Sequence, residues 1–448
     1  MDTDALLDDP DIRIIVCCGS GGVGKTTTAA ALGVRAAERG RKVVVLTIDP
    51  ARRLAQSMGI ASLDNIPRRV KGIETRGSGE LHAMMLDMKR TFDEIVEAHA
   101  DGERARAILE NPFYQSLSAG FAGTQEYMAM EKLGQLRARE EWDLIVVDTP
   151  PSRSALDFLD APKRLGSFLD GKFIKLLMAP AKMGGRAGMK FLNVGMSMMT
   201  GTLGKLLGGQ FLRDVQTFVA AMDTMFGGFR TRADATFKLL QAPGTAFLVV
   251  ATPERDALRE AAYFVERLAA EDMPLAGLVL NRVHDSEAAR LSAGQALAAA
   301  ENLDAAGIVD QGAGKAGLRE PADSPAAGTA QTTDTAGAAT PDLSQHVSEH
   351  EHEHEPTEVP EAGADTDADS SAAPAVSVEQ LTAGLLHLHA ERMQVVAREQ
   401  HTRDRFTTQH PEVAVTAVAA LPGDVHDLAG LRAIGDRLAT GSAPAGAA

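Results

Sequence analysis

Eight consecutive residues, Gly19-Ser20-Gly21-Gly22-Val23-Gly24-Lys25-Thr26, have the types and spacing of a phosphate-binding loop. Glycines let backbone N–H groups close around phosphate oxygens, and a helix starting at the end of the loop adds the positive end of its dipole. A lysine at this position bridges the β- and γ-phosphates of a nucleotide, and the hydroxyl after it is a ligand for Mg2+. The expected nucleotide contacts are therefore Gly21, Gly22, Val23, Gly24, Lys25, Thr26 and Thr27. ATP is the expected ligand and Mg2+ its cation, with Lys25 catalytic and Thr26 on the metal.

Two carboxylates extend this reading. Trp142-Asp143-Leu144-Ile145-Val146-Val147-Asp148-Thr149-Pro150-Pro151 reads as an apolar strand ending in an acid, and such an Asp holds Mg2+, usually through water, beside the loop. Asp148 is the expected second metal residue. Val43-Val44-Val45-Leu46-Thr47-Ile48-Asp49-Pro50 ends the same way, which puts Asp49 at the carboxyl edge of a sheet, where α/β ligands bind. Asp49 could position the attacking water. Either acid alone could be a helix N-cap; both beside a phosphate loop point to hydrolysis.

Elements to carry these residues are visible. Short β-branched runs alternate with helical stretches, the pattern of a doubly wound α/β fold whose mostly parallel sheet is covered on both faces. Candidate strands are 12–18, 42–48, 144–147, 246–251, 277–280 and 413–421, and a helix is expected over 27–39, stopping at Gly40. The last strand lies beyond a stretch of Ala, Asp, Thr, Pro and Gly at 311–375. That stretch has too few large apolar residues to offset chain entropy and reads as a disordered acidic insert within one domain. It includes His346 to Glu355, where imidazoles and carboxylates alternate. This could gather metal weakly but reads first as a solvated linker.

The expected organisation is a tail at 1–11, the first part of a P-loop NTPase-type core at 12–160, and a Met-rich helical subdomain at 161–240. The core continues at 241–310, the insert follows at 311–375, and a helix and last strand at 376–440 complete the core before a tail at 441–448.

The chain has 448 residues and a formal charge of −16. Thirteen acidic residues and no Lys or Arg fall between Glu320 and Val378, so all but about −3 of that charge belongs to one segment. No nucleic-acid partner is expected. The two cysteines, Cys17 and Cys18, are adjacent and lack the spacing of a zinc or redox motif. With an acidic start that has no long apolar run, this predicts a cytoplasmic protein.

The loop with its Gly-Gly-Val-Gly-Lys-Thr-Thr sequence, Asp49-Pro50-Ala51 and Asp148-Thr149-Pro150-Pro151-Ser152 resemble the deviant-Walker ATPases of the ArsA-like family. That family includes arsenite-pump ATPases and the ATPase that guides tail-anchored membrane proteins. Ala251-Thr252-Pro253-Glu254, Asn281-Arg282-Val283 and Leu421-Pro422 agree with it. The resemblance spans about 12–290 and 376–438. It implies that Asn281 reads the adenine base and that Pro422 lies in the loop covering it.

Three departures bear on partners. The family usually has a lysine after the first loop glycine, reaching the partner's nucleotide across a dimer; here the residue is Ser20, which cannot supply that charge. A homodimer would then hydrolyse slowly unless Arg52 or Arg53 substitutes, so a heterodimer with a lysine-bearing paralogue is the favoured expectation. No Cys-x-x-Cys exists to join subunits through zinc, and no three-cysteine site exists for arsenite.

Gly171 to Arg213 carries seven Lys or Arg and no acid, with Met178, Met183, Met189, Met196, Met198 and Met199. Flexible methionines with basic neighbours suit a hydrophobic or membrane-protein client, and allow peripheral association at a membrane. A subdomain that only packs on the sheet is the plain alternative. Other readings are a regulatory ATPase without cargo, or an energy-coupling subunit of an anion transporter.

Overall fold

The computed structural model describes residues 1–48, 53–74, 77–117, 124–150, 218, 228, 231–312 and 376–441. Asp49, Arg52, most of the expected Met-rich subdomain and residues 313–375 of the expected acidic insert lie outside these residues, while Gln311 and Gly312, expected in that insert, are helical.

Eight strands form one sheet in the order β3-β4-β2-β5-β1-β6-β7-β8. These are β1 (Ile14–Cys18), β2 (Lys42–Thr47), β3 (Arg68–Arg69), β4 (Glu80–Met85), β5 (Leu144–Asp148), β6 (Thr245–Ala251), β7 (Leu275–Val283) and β8 (Val415–Ala419). All pairings are parallel except the short antiparallel β3–β4. The sheet is therefore doubly wound and mostly parallel, as the alternating pattern predicts. All six expected strands are present within a few residues. β8 pairs with β7, so the chain returns after residues 313–375 to finish its sheet.

Strands β1, β5 and β6 are buried at every position, because helices cover both faces of a parallel sheet. Their Ile, Val and Leu side chains make the centre of the core. Helix α2 (Lys25–Glu38) starts two residues earlier than expected and stays helical through its alanine run. Its small residues let it lie close on the sheet, with Ala29, Ala30, Leu32 and Val34 fully buried.

The remaining helices before β5 are α1 (Thr3–Asp8), α3 (Arg53–Ser57), α4 (Met88–His99), α5 (Gly102–Leu109), α6 (Pro112–Leu117) and α7 (Thr124–Ala138). Residues 231–241 are helical, and α8 (Arg255–Ala270) connects β6 to β7. After β7 come α9 (Ala293–Gly312), α10 (Val378–Gln409) and, beyond β8, α11 (Leu428–Thr440).

The stretch expected to be an N-terminal tail contains α1, whose Leu7 is fully buried. The Asp2 side chain caps it by accepting from the Ala5 N–H at 3.0 Å.

The chain divides into two compact units, Met1–Ser292 with Glu391–Ala448, and Ala293–Ala390. The first contains the sheet. The second contains α9 and the first part of α10, with His387 Nε2 3.5 Å from Asp304 Oδ2. Among the described residues no helix is long and apolar enough to cross a membrane.

Candidate active site

The chain runs from β1 to β2 on one side of the sheet and later from β1's other neighbour, β6, to β7 and β8 on the opposite side. The carboxyl end of β1 is thus the topological switch point, where α/β sheets bind ligands. Residues 19–24 leave β1 there and enter α2. Gly24 is the α2 N-cap with φ +96°, a left-handed conformation natural to glycine, and a Cβ on it would lie 2.3 Å from Asn281 Nδ2. Gly21 and Gly22 are exposed, which leaves the outer side of the loop open to a ligand.

Lys25 is the first residue of α2 and is 6% exposed. Its ammonium donates to the Ser20 carbonyl at 2.8 Å, folding the side chain back over its own loop. Thr26 and Thr27 follow in the first helical turn. Thr26 Oγ1 donates to Asp148 Oδ2 at 2.7 Å, and Thr47 Oγ1 donates to the same oxygen at 2.9 Å. The parallel register explains the second bond: Asp148 pairs with Thr47 on β2 and with Cys17 on β1. Asp148 is fully buried, and the adjacent Thr149 hydroxyl donates to the Cys17 carbonyl at 2.9 Å. The loop, Lys25, Thr26 and Asp148 are therefore brought together as their motifs predict.

A hydroxyl and a carboxylate oxygen 2.7 Å apart form a donor set of hard oxygens. That set suits Mg2+, which binds oxygen and keeps several waters. Thr26 and Asp148 are the residues that would hold it.

Asn281, expected at the adenine base, is 8% exposed and donates its Nδ2 to the Val23 carbonyl at 2.8 Å. It therefore braces the phosphate loop. Pro422 is exposed in the connection between β8 and α11. Asp49 and Arg52 lie outside the described residues, as does the side chain of Arg53. Thr47 was not foreseen as a site residue, since its type is ordinary in a β-branched strand. Its place at the last position of β2, level with Asp148, is the only signal.

Burial pushes the Cys18 thiol up to about 12. Cys17 is raised well above the usual thiol range by burial first and by Asp148 second. Both thiols are buried in β1 and protonated at neutral pH.

A family model described as anion-transporting ATPase matches residues 12–305 of this chain. The chain belongs to the anion-transporting ATPase family. Similar proteins include ATPase GET3 of Malassezia globosa, 31% identical over 160 residues that cover 36% of this chain and 45% of that protein. ATPase GET3 of Podospora anserina is 26% identical over 281 residues, covering 62% of this chain and 75% of its own. ATPase ASNA1 homolog 2 of Paramecium tetraurelia is 25% identical over 286 residues, covering 62% and 78%. As a member of this ATPase family the chain is an ATP hydrolase.

Proposed function

We propose that this chain is a Mg2+-dependent ATPase that couples nucleotide binding and hydrolysis to a conformational change in a dimer, and that it handles or targets a hydrophobic or membrane-protein client. The observation that carries the nucleotide reading is the convergence of Lys25, Thr26 and Asp148 at the switch point, with the Thr26 hydroxyl 2.7 Å from Asp148. Backbone N–H groups of residues 21–27 would hold the phosphates, and Lys25 would exchange the Ser20 carbonyl for phosphate oxygens. Bound Mg2+ would neutralise charge on those oxygens. Asp49, two residues beyond Thr47 in sequence, would orient the attacking water. The client reading rests on the methionine-rich basic segment, and the partner reading on Ser20: a lysine-bearing paralogue would return the missing charge to this chain's nucleotide.

Turnover and nucleotide binding measured on the full chain test the mechanism. Lys25→Ala should weaken binding, whereas Asp49→Asn should bind ATP normally and hydrolyse it slowly. Hydrolysis equal to wild type in Asp49→Asn would remove Asp49 from its role. For the client, ATP-loaded protein should copurify with hydrophobic peptides, and deletion of 182–209 should abolish this while sparing turnover. Binding that survives the deletion would exclude that segment.

A further inference from the structure

Among the described residues, three that are not glycine have a left-handed backbone: Glu140, Asp272 and Arg282, with φ of 52°, 53° and 58°. Glu140 and Asp272 follow the last turns of α7 and α8, where such residues commonly end helices. Arg282 is different, because it lies inside β7. Leu280 pairs with Ala417 and Val283 with Ala419, so β7 carries one residue more than β8 over that interval. This is a bulge. In a regular strand Asn281 and Arg282 would face opposite sides of the sheet. The bulge breaks that alternation, and both residues border the phosphate loop. Asn281 donates to the Val23 carbonyl, while Arg282 lines a cavity of about 310 Å³ together with Ser20, Gly21 and Gly22.

The same cavity is lined by Glu254, Asp256 and Glu260. Three carboxylates beside a phosphate loop would repel the charge the loop is built to bind. Arg282 is exposed, and no ion pair engages its guanidinium among the described residues. Its planar set of donors therefore remains available, and that geometry matches phosphate oxygens. Glycine would adopt this backbone without strain, so an arginine with φ 58° beside a ligand loop is an outlier of the kind that clusters at functional sites.

We infer that Arg282 binds the phosphate chain of the nucleotide and offsets the repulsion from the carboxylates of the β6–α8 wall. The inference rests on the nucleotide site proposed at Lys25. In the full chain, Arg282→Gly should weaken ATP binding about tenfold, the value of one charge-assisted hydrogen bond. AMP, with one phosphate, should lose much less. Melting temperature should stay at or above wild type, since glycine relaxes the backbone, so the loss is not one of folding. Adding Glu254→Gln and Glu260→Gln to Arg282→Gly should restore part of the ATP affinity. Unchanged ATP affinity in Arg282→Gly, or an equal loss for AMP and ATP, overturns the inference. Lys25→Ala separates the two readings: intact ATP binding there means the nucleotide site is misplaced, whereas loss there with none in Arg282→Gly removes only Arg282.

Discussion

Thr26 Oγ1 lies 2.7 Å from Asp148 Oδ2, which ties the first turn of α2 to the end of β5. Because Thr47 donates to the same oxygen, Asp148 is fixed from two sides before any ligand arrives. Asp148→Asn keeps the shape but removes the negative charge that the proposed Mg2+ site would use. Turnover in saturating MgATP should fall on the order of 100-fold, with binding of metal-free ATP little changed. A titration of turnover against Mg2+ checks this. Unaltered Mg2+ dependence would place the metal elsewhere.

Thr47→Val tests whether that fixing matters. The substitution leaves the volume and removes one donor to a buried carboxylate, costing about 1–3 kcal/mol of stability. Denaturant unfolding measures the cost. Turnover should fall less than in Asp148→Asn, since the carboxylate remains.

Much of this site was readable as sequence because its chemistry is local. Gly19 to Thr26 is contiguous, and Asp148 ends an apolar run that resembles little else. β4 has no sequence signature: Glu80-Leu81-His82-Ala83-Met84-Met85 has no β-branched residue, and its strand character comes from pairing with β2. The hydrogen bond from Asn281 to the Val23 carbonyl likewise has no sequence signature, because the two residues are 258 positions apart. The left-handed backbone of Arg282 depends on the register with β8, which no local pattern encodes. Residues 1–11 read as an acidic tail because the arginines that neutralise them are on α2.

Asn281→Ala should therefore act on the loop whatever its effect on the base. It leaves the Val23 carbonyl without this donor and opens space beside Gly24, costing about 1–3 kcal/mol in stability. If Asn281 also reads adenine, the preference for ATP over GTP should shrink along with the melting temperature. A fall in melting temperature with unchanged ATP/GTP preference assigns the residue to bracing alone.

His82 sets a pH dependence. Burial holds its imidazole below the ordinary value of 6.5, with Glu80 and Glu141 raising it and Lys42 and Arg69 lowering it. Its ring packs edge-on to Trp142 at 4.9 Å, and the Lys42 ammonium sits over that indole. The unfolded chain takes up the proton first as pH falls, so this contribution is full above about pH 6.5 and is lost below it. Urea unfolding between pH 5 and 8 should show stability rising through this range. The slope should be smaller in His82→Gln, and an identical slope would show that another group carries the dependence.

Helix α1 offers the last test, since it ties the phosphate-loop helix to the far end of the chain. Arg35 meets Asp4 through two bonds, at 2.5 and 2.8 Å, and also reaches Asp436 on α11 at 2.8 Å. Arg39 pairs with Asp8 and Asp4, Thr3 Oγ1 donates to the Leu438 carbonyl, and Thr416 Oγ1 donates to the Met1 carbonyl. The charged part is half-exposed and should contribute below about 1 kcal/mol per pair. Leu7 supplies the larger share: fully buried, it should cost about 2–4 kcal/mol when changed to Ala. The Arg35 hydrogen bond holds the Asp4 carboxyl below its usual range, and Arg39 does the same for Asp8. Their contribution is thus present above about pH 3.8 and lost as the pH falls further. Leu7→Ala should lower the unfolding midpoint far more than Asp4→Asn at pH 7. Comparable losses would mean that the ion pairs, and not the buried leucine, hold the helix in place.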